Sequence, residues 1–178
     1  MTKIAVFVGS LHEGSINKRY AQEVEKLLPE GVTFEYANVR LPLFDQDLES
    51  TEFPAEAQAN KDLVESADGV LFFSPEYNRS VTGALKNAID WASRPWGSNS
   101  FAGKPAATAG VSVGPLATAP SQQHLKAILN YLDTKLMGQP EMYIFAAQTL
   151  TDDGLTDEAK QFAQNFVTAF VAHVNATK

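Results

Sequence analysis

The chain has 178 residues, a length that fits one domain with a sizeable core and falls short of a second. Apolar residues make up 44% and charged residues 20%, and the formal net charge of −7 argues against nucleic acid and against an anionic membrane surface as partners. There is no cysteine, which removes disulfides, thiol catalysis, iron–sulfur clusters and thiolate-bound zinc, and the three His are too scattered for a metal site.

Along the chain, apolar runs alternate with segments of helical period. Residues 4–9, IAVFVG, form a continuous apolar run as expected of a parallel strand buried on both faces. That run is too short for a signal peptide and lacks a cleavage motif, and no window approaches the ~20 apolar residues of a membrane span. A cytoplasmic protein is expected. Ile16, Tyr20, Val24, Leu27 and Leu28 recur at helical spacing until Pro29 and Gly31 end the helix. Residues 32–39 alternate as a second strand, residues 41–54 read as a proline-punctuated loop, and helical spacing resumes over 55–67. A third strand spans 68–75 and a third helix 80–92. Residues 94–105 are loop, 106–113 a fourth strand of small residues, 124–137 a helix, 141–147 a fifth strand and 156–175 the last helix.

Five strand–helix units predict an α/β fold: a flavodoxin-like three-layer sandwich forming a single domain over 1–178. Its five-stranded parallel sheet has the order 2-1-3-4-5 with helices on both faces, because a full Rossmann fold needs six strands. Ligands of such sheets sit outside the carboxyl ends of the strands, at the switch point between strands 1 and 3. The loops after Gly9, Ser74 and Val113 should therefore share one site.

The first of these loops, GSLHEGSIN (residues 9–17), carries Gly9 and Gly14 at the spacing of a nucleotide-binding P-loop, yet no Lys follows Gly14. A triphosphate needs that lysine; a monophosphate can be held by hydroxyls and backbone N–H groups. Ser10 and Ser15 offer hydroxyls and Asn17 an amide, and Ser15 is placed to cap the next helix, whose start favours an anion. A capped helix after a plain turn is the competing reading. Lys18 and Arg19 oppose the helix dipole and are expected to face solvent or a partner. The second loop begins SPEYN (residues 74–78). Pro75 fixes a turn, Tyr77 offers an aromatic face, and Glu76 and Asn78 set polar groups beside it, as a flat heteroaromatic ring requires. Taken singly, Tyr77 suits a core, Glu76 a solvated charge and Asn78 a turn. Asp90 and Trp91 read as helix packing.

GSLHEGSIN and PEYNRSVTGALKNAIDW together resemble the signature loops of the NAD(P)H-dependent FMN reductases, a family that includes quinone and chromate reductases. The family patterns run approximately G-S-x-R-x-x-S-x-N and P-E-Y-N-x-S-x-P-G-x-L-K-N-A-I-D-W. The resemblance implies an FMN phosphate held by Ser10, His12, Ser15, Ile16 and Asn17. It also implies a flavin ring held by Pro75, Glu76, Tyr77 and Asn78, largely through their backbone, and flanked by Ser112 and Gly114. NADPH or NADH would deliver hydride to the flavin in a ping-pong scheme, with a quinone, free flavin or chromate as acceptor and no side-chain acid or base. A homodimer or homotetramer is implied as well, and Trp91, Pro95, Trp96 and Phe101 offer apolar area for it. A flavodoxin-type electron carrier and a flavin-free binding module of the same fold are the alternatives. Three departures from the pattern stand out. His12 replaces Arg, exchanging a bidentate, permanently charged guanidinium for an imidazole. Pro115 and Leu116 replace a second Gly, and Thr82 replaces a Pro, a change expected to matter less.

Overall fold

The computed structural model describes residues 1–177. Strand β1 (Thr2–Val8) lies between β2 (Val32–Tyr36) and β3 (Gly69–Phe73), and β3 pairs in turn with β4 (Pro105–Ser112), every pairing parallel. The expected order 2-1-3-4-5 is present. Its last position is shared by two short strands. β5 (Lys135–Leu136) pairs with the start of β4, and β6 (Met142–Phe145) pairs with its end. Between them lies Gly138-Gln139-Pro140, where proline has no N–H to offer a ladder.

Alternation along the buried strands sorts their side chains into two cores. Ile4, Val6 and Val8 of β1 join Leu71 and Phe73 of β3 under helices α1 (Ile16–Glu25) and α7 (Asp157–Ala176). Ala5, Phe7, Val70 and Phe72 face the opposite way, under α3 (Ala55–Ser66), α4 (Gly83–Ala92) and α5 (Ala119–Tyr131). This makes a three-layer sandwich whose strand periodicity, two residues per repeat, assigns each side chain to one layer.

Two stretches differ from expectation. Part of the proline-punctuated loop forms helix α2 (Gln46–Thr51), because Asp45 caps it through the N–H of Asp47 at 2.8 Å and Asp47 and Glu49 complement its dipole. The helix expected over 124–137 is α5, which starts at Ala119 with Pro120 in its first turn and stops at Tyr131. Asp133 then takes a left-handed φ of 58°, and the N–H of Thr134 donates back to Leu129 O at 3.1 Å, which turns the chain into β5. A short helix α6 (Ala146–Thr149) and a hairpin of β7 (Leu150–Thr151) and β8 (Gly154–Leu155) connect β6 to α7. Among the described residues, no helix is long and apolar enough to cross a membrane.

Candidate functional site

The chain leaves β1 through Gly9, whose N–H donates to Phe73 O at 2.9 Å. A Cβ there would lie 2.8 Å from Leu85 Cβ and 3.0 Å from Pro75 Cδ. Only glycine lets the loop after β1 press against the loop after β3. Thr82 completes the join: it is the N-cap of α4, accepting from the N–H of Leu85 at 3.3 Å, while its hydroxyl donates to Gly9 O at 2.6 Å. The exchange of Pro for Thr, which looked minor in the sequence, thus supplies the tie between the two loops.

Ser15 caps α1 as expected, its Oγ accepting from the N–H of Lys18 at 3.2 Å. The N–H of Arg19 reaches Ser15 O at 3.0 Å. Among the described residues, the N–H groups of Ile16 and Asn17 have no hydrogen-bond partner, and the first turn contains no acid. Two free donors at the positive end of a ten-residue helix, with Ser10 and Ser15 alongside, fit a phosphate monoester. The side-chain amide of Asn17, expected among the phosphate donors, is committed elsewhere: it donates to Val111 O at 2.9 Å and accepts from Val111 N–H at 3.0 Å. That pairing locks the first loop to the end of β4. The ring of exposed His12 folds back over Gly14, and the N–H of His12 donates to Ser10 Oγ at 3.3 Å.

After β3, Tyr77 and Ser80 exchange both backbone hydrogen bonds, at 3.1 and 3.0 Å, around Asn78 and Arg79 with φ of 52° and 64°. This is a two-residue hairpin of type I′. Asn tolerates the left-handed region; Arg79 is held there against its preference. Glu76 acts as the strut. One carboxylate oxygen receives Arg79 at 2.8 Å and the other receives the N–H of Ser121, in the first turn of α5, at 3.1 Å. Its side chain is only 10% exposed, so it is no solvated surface charge. Ser74 and Ser121, both fully buried, have their hydroxyl oxygens 2.8 Å apart and 3.1 and 2.9 Å from Pro75 O, so one hydroxyl donates to the other and that one donates to Pro75 O. These fixed contacts leave Tyr77 59% exposed.

The third loop follows β4. Ser112 Oγ accepts from the N–H of Gly114 at 3.1 Å, which turns Val113 outward to 78% exposure. Ala117 and Thr118 both take left-handed φ, and Gly110 makes room beneath them, since a Cβ there would collide with Thr118 Oγ1 and Ser74 O. Pro115 and Leu116 turn away to line a separate cavity of about 580 Å³ beside Phe145 and Phe162.

The three loops enclose a cavity of about 400 Å³ at the carboxyl ends of β1, β3 and β4. Ser10, His12, Ser15, Ile16, Asn17, Pro75, Glu76, Tyr77 and Ser112 all line it, together with Val111 and Val113. Asn78 and Gly114 do not line it; they are the turn residues that shape its walls. Sequence reasoning missed Ser74, Thr82 and Ser121 as positioning residues. Thr82 had a legible signal, a hydroxyl residue directly before a helical run. Of the aromatics expected on an interface, Trp91 and Phe101 are fully buried within the chain. Trp91 donates to Pro42 O at 2.8 Å and packs edge-on against Phe44 and Phe53. Trp96 remains 80% exposed.

A parallel sheet of this order, with free helix-start donors on one side of its switch point and an aromatic hairpin on the other, defines a flavodoxin-like protein built to hold a mononucleotide. Residues 2–149 match the model of the NADPH-dependent FMN reductase family, and the chain belongs to that family. It is 44% identical over 176 residues to a 2-hydroxy-1,4-benzoquinone reductase of a Burkholderia species, covering 97% of this chain and 96% of that one. An NAD(P)H:quinone oxidoreductase of Solanum tuberosum is 41% identical over 165 residues, 88% of this chain and 84% of the relative. Among solved structures, the flavoenzyme NAD(P)H:(acceptor) oxidoreductase FerB from Paracoccus denitrificans superposes with a TM-score of 0.92 at 40% identity, covering 99% of both chains. An FMN-dependent NADH-azoreductase of Bacillus anthracis, solved with FMN, shares the fold at a TM-score of 0.59 and 15% identity, covering 99% of this chain and 100% of that one.

Proposed function

We propose that this protein is an FMN-containing NAD(P)H:quinone oxidoreductase, a single flavin-binding domain acting on small electron acceptors in the cytoplasm. The observation that carries this reading is the pairing of unpartnered Ile16 and Asn17 N–H donors with the Tyr77–Ser80 hairpin across one cavity. Ser10, Ser15 and the start of α1 bind the phosphate, and His12 adds a polar contact at the edge. Pro75, Glu76, Tyr77 and Asn78 orient the ring through backbone set by the Glu76 strut, while Ser112 and Gly114 shape the opposite wall. Flavin held there would supply the redox chemistry: a hydride from the nicotinamide and a proton from water would reduce it, and the same two electrons and two protons would then go to a quinone. The chain's task is to fix the ring, keep one face open and place apolar side chains around the opening. Leu11, Tyr77 and Val113, 44%, 59% and 78% exposed, serve that last purpose. These exposed rims favour a reductase that takes two substrates in turn over a pure electron carrier. We also infer a homo-oligomer, with Trp96 and the neighbouring Tyr131, 74% exposed, as its apolar contacts.

The test is spectroscopic. Protein purified or reconstituted with FMN should show the flavin absorption bands, lose them on anaerobic addition of NADPH, and regain them on addition of benzoquinone. No flavin spectrum after reconstitution overturns the proposal.

A further inference from the structure

A second cavity, of about 340 Å³, adjoins the flavin site and shares Ser10 and His12 with it, so that the two form one trough. It lies between the loop after β1 and the chain leaving β2, and the first site gives it no occupant. Its wall carries Lys18, Arg40 and His12. Among the described residues, no acid is paired with any of the three. Among the described residues, Lys18 Nζ has no hydrogen-bond or ion-pair partner, and the Arg40 guanidinium hydrogen-bonds Leu11 O alone, at 3.2 Å. In a chain with a net charge of −7, this is an unusual place to leave cations uncompensated. Glu13 is the one acid lining the cavity. Beside the cations stands Tyr36, its hydroxyl donating to Glu25 at 2.8 Å so that the ring is fixed, and Asn38, whose Oδ1 accepts from Arg40 N–H at 2.9 Å and whose amide N–H groups are free.

The other arginines are already engaged: Arg19, next to Lys18, donates to Thr151 O and Asp152 O. Arg79 is bound to Glu76, and Arg94 makes two bonds to Glu49 at 2.8 and 2.9 Å. We infer that the cavity walled by Lys18, Arg40, Tyr36 and Asn38 holds the adenosine 2′-phosphate end of NADPH, making the protein selective for NADPH over NADH. The inference rests on the reductase reading above and names the part of the coenzyme that the flavin cavity leaves unassigned. Two cations meet a phosphate dianion, the Arg fork offering paired donors, while the aromatic face and free amide suit adenine.

The probe is adenosine 2′,5′-bisphosphate, titrated calorimetrically into FMN-supplemented protein beside AMP and inorganic phosphate. The bisphosphate should bind roughly tenfold or more tightly than AMP, as a charge-assisted contact implies, and inorganic phosphate should bind far more weakly than either. The double variant Lys18→Met/Arg40→Met should lose that preference and raise KM for NADPH about tenfold, leaving kcat, KM for NADH and FMN affinity unchanged. Lys18→Arg/Arg40→Lys should keep the preference. Bisphosphate binding no tighter than AMP, or a preference that survives the double Met variant, overturns the inference. So does inorganic phosphate that binds as tightly as the bisphosphate. A wild-type protein that binds the bisphosphate selectively yet never turns over NADPH would instead strike the reductase reading, so the two failures are separable.

Discussion

At the scale of single residues, His12 stands where the family pattern carries Arg, in the loop proposed to hold the FMN phosphate. An arginine there would add a charged, forked donor beside Ser10, and a charge-assisted hydrogen bond contributes about 1.5–3 kcal/mol. His12→Arg should therefore tighten FMN binding at pH 8 by about tenfold or more, read from quenching of flavin fluorescence; an unchanged affinity would show that the exchange of Arg for His12 does not weaken FMN retention. Asn17 makes the opposite case. Its residue type announced a polar role, but the partner of its side chain is Val111, 94 residues away, and no local pattern reveals that. Asn17→Leu would orphan both backbone groups of Val111 in a buried place and should cost about 2–6 kcal/mol of unfolding free energy in urea, two groups at about 1–3 kcal/mol each. A loss under 1 kcal/mol would mean that water replaces the amide. Glu76 was similarly half legible: its place in the loop was visible, while its bond to the start of α5 depends on a chain crossing that only the fold supplies.

Among the elements, what could be read from the sequence depended on whether a segment carries its own periodicity. The buried strands and the helices α1, α3, α4 and α7 announce themselves by apolar spacing. Strand β5 has two residues and no pattern, and it exists because β4 offers an unpaired edge. Helix α2 buries none of its residues, so it left no apolar signal. What docks it is Glu49, bonded bidentately to Arg94 just beyond α4. The hydrogen bond and charge of that guanidinium hold the Glu49 carboxyl below its ordinary value of 4.5, outweighing a partial desolvation. A depressed carboxylate stabilises the fold above its unfolded pKa and loses that contribution as the pH falls through its folded one. Glu49→Gln should therefore lower the thermal midpoint at pH 6–7, with the gap from wild type closing below about pH 4. A gap independent of pH would trace the docking of α2 to packing instead. Thr82 supports its helix in a different way, by capping α4 and bonding Gly9 O at once. Thr82→Ala should cost about 1–2 kcal/mol as a lost cap and also weaken FMN binding, because the first loop is released from the second. Normal FMN affinity in the variant would separate the two roles.

For the whole molecule, the order β2-β1-β3-β4 brings together loops from the first, middle and later parts of the chain, and the switch between β1 and β3 opens the gap they line. This much was legible, because five strand–helix units leave few alternatives. The division of labour among the loops has a thermodynamic consequence. A ligand that binds only the folded chain stabilises it by RT ln(1 + [L]/Kd), about 2.7 kcal/mol at a hundredfold excess over Kd. For a chain of this size each kcal/mol raises the melting point by about 2–4 °C, so FMN at that excess should raise it by about 5–11 °C. Riboflavin shares the ring and lacks the phosphate. It would engage the Tyr77–Ser80 hairpin and leave the Ile16 and Asn17 N–H groups unused. At equal concentration its shift should be less than half that of FMN, in a scanning fluorimetry titration of both ligands. Equal shifts would mean that the ring alone carries the affinity and that the first loop, for all its free donors, does not grip the phosphate. A large shift with FMN alone requires the first loop and the hairpin to act on one ligand across the same cavity, which is what placing them at a single switch point accomplishes.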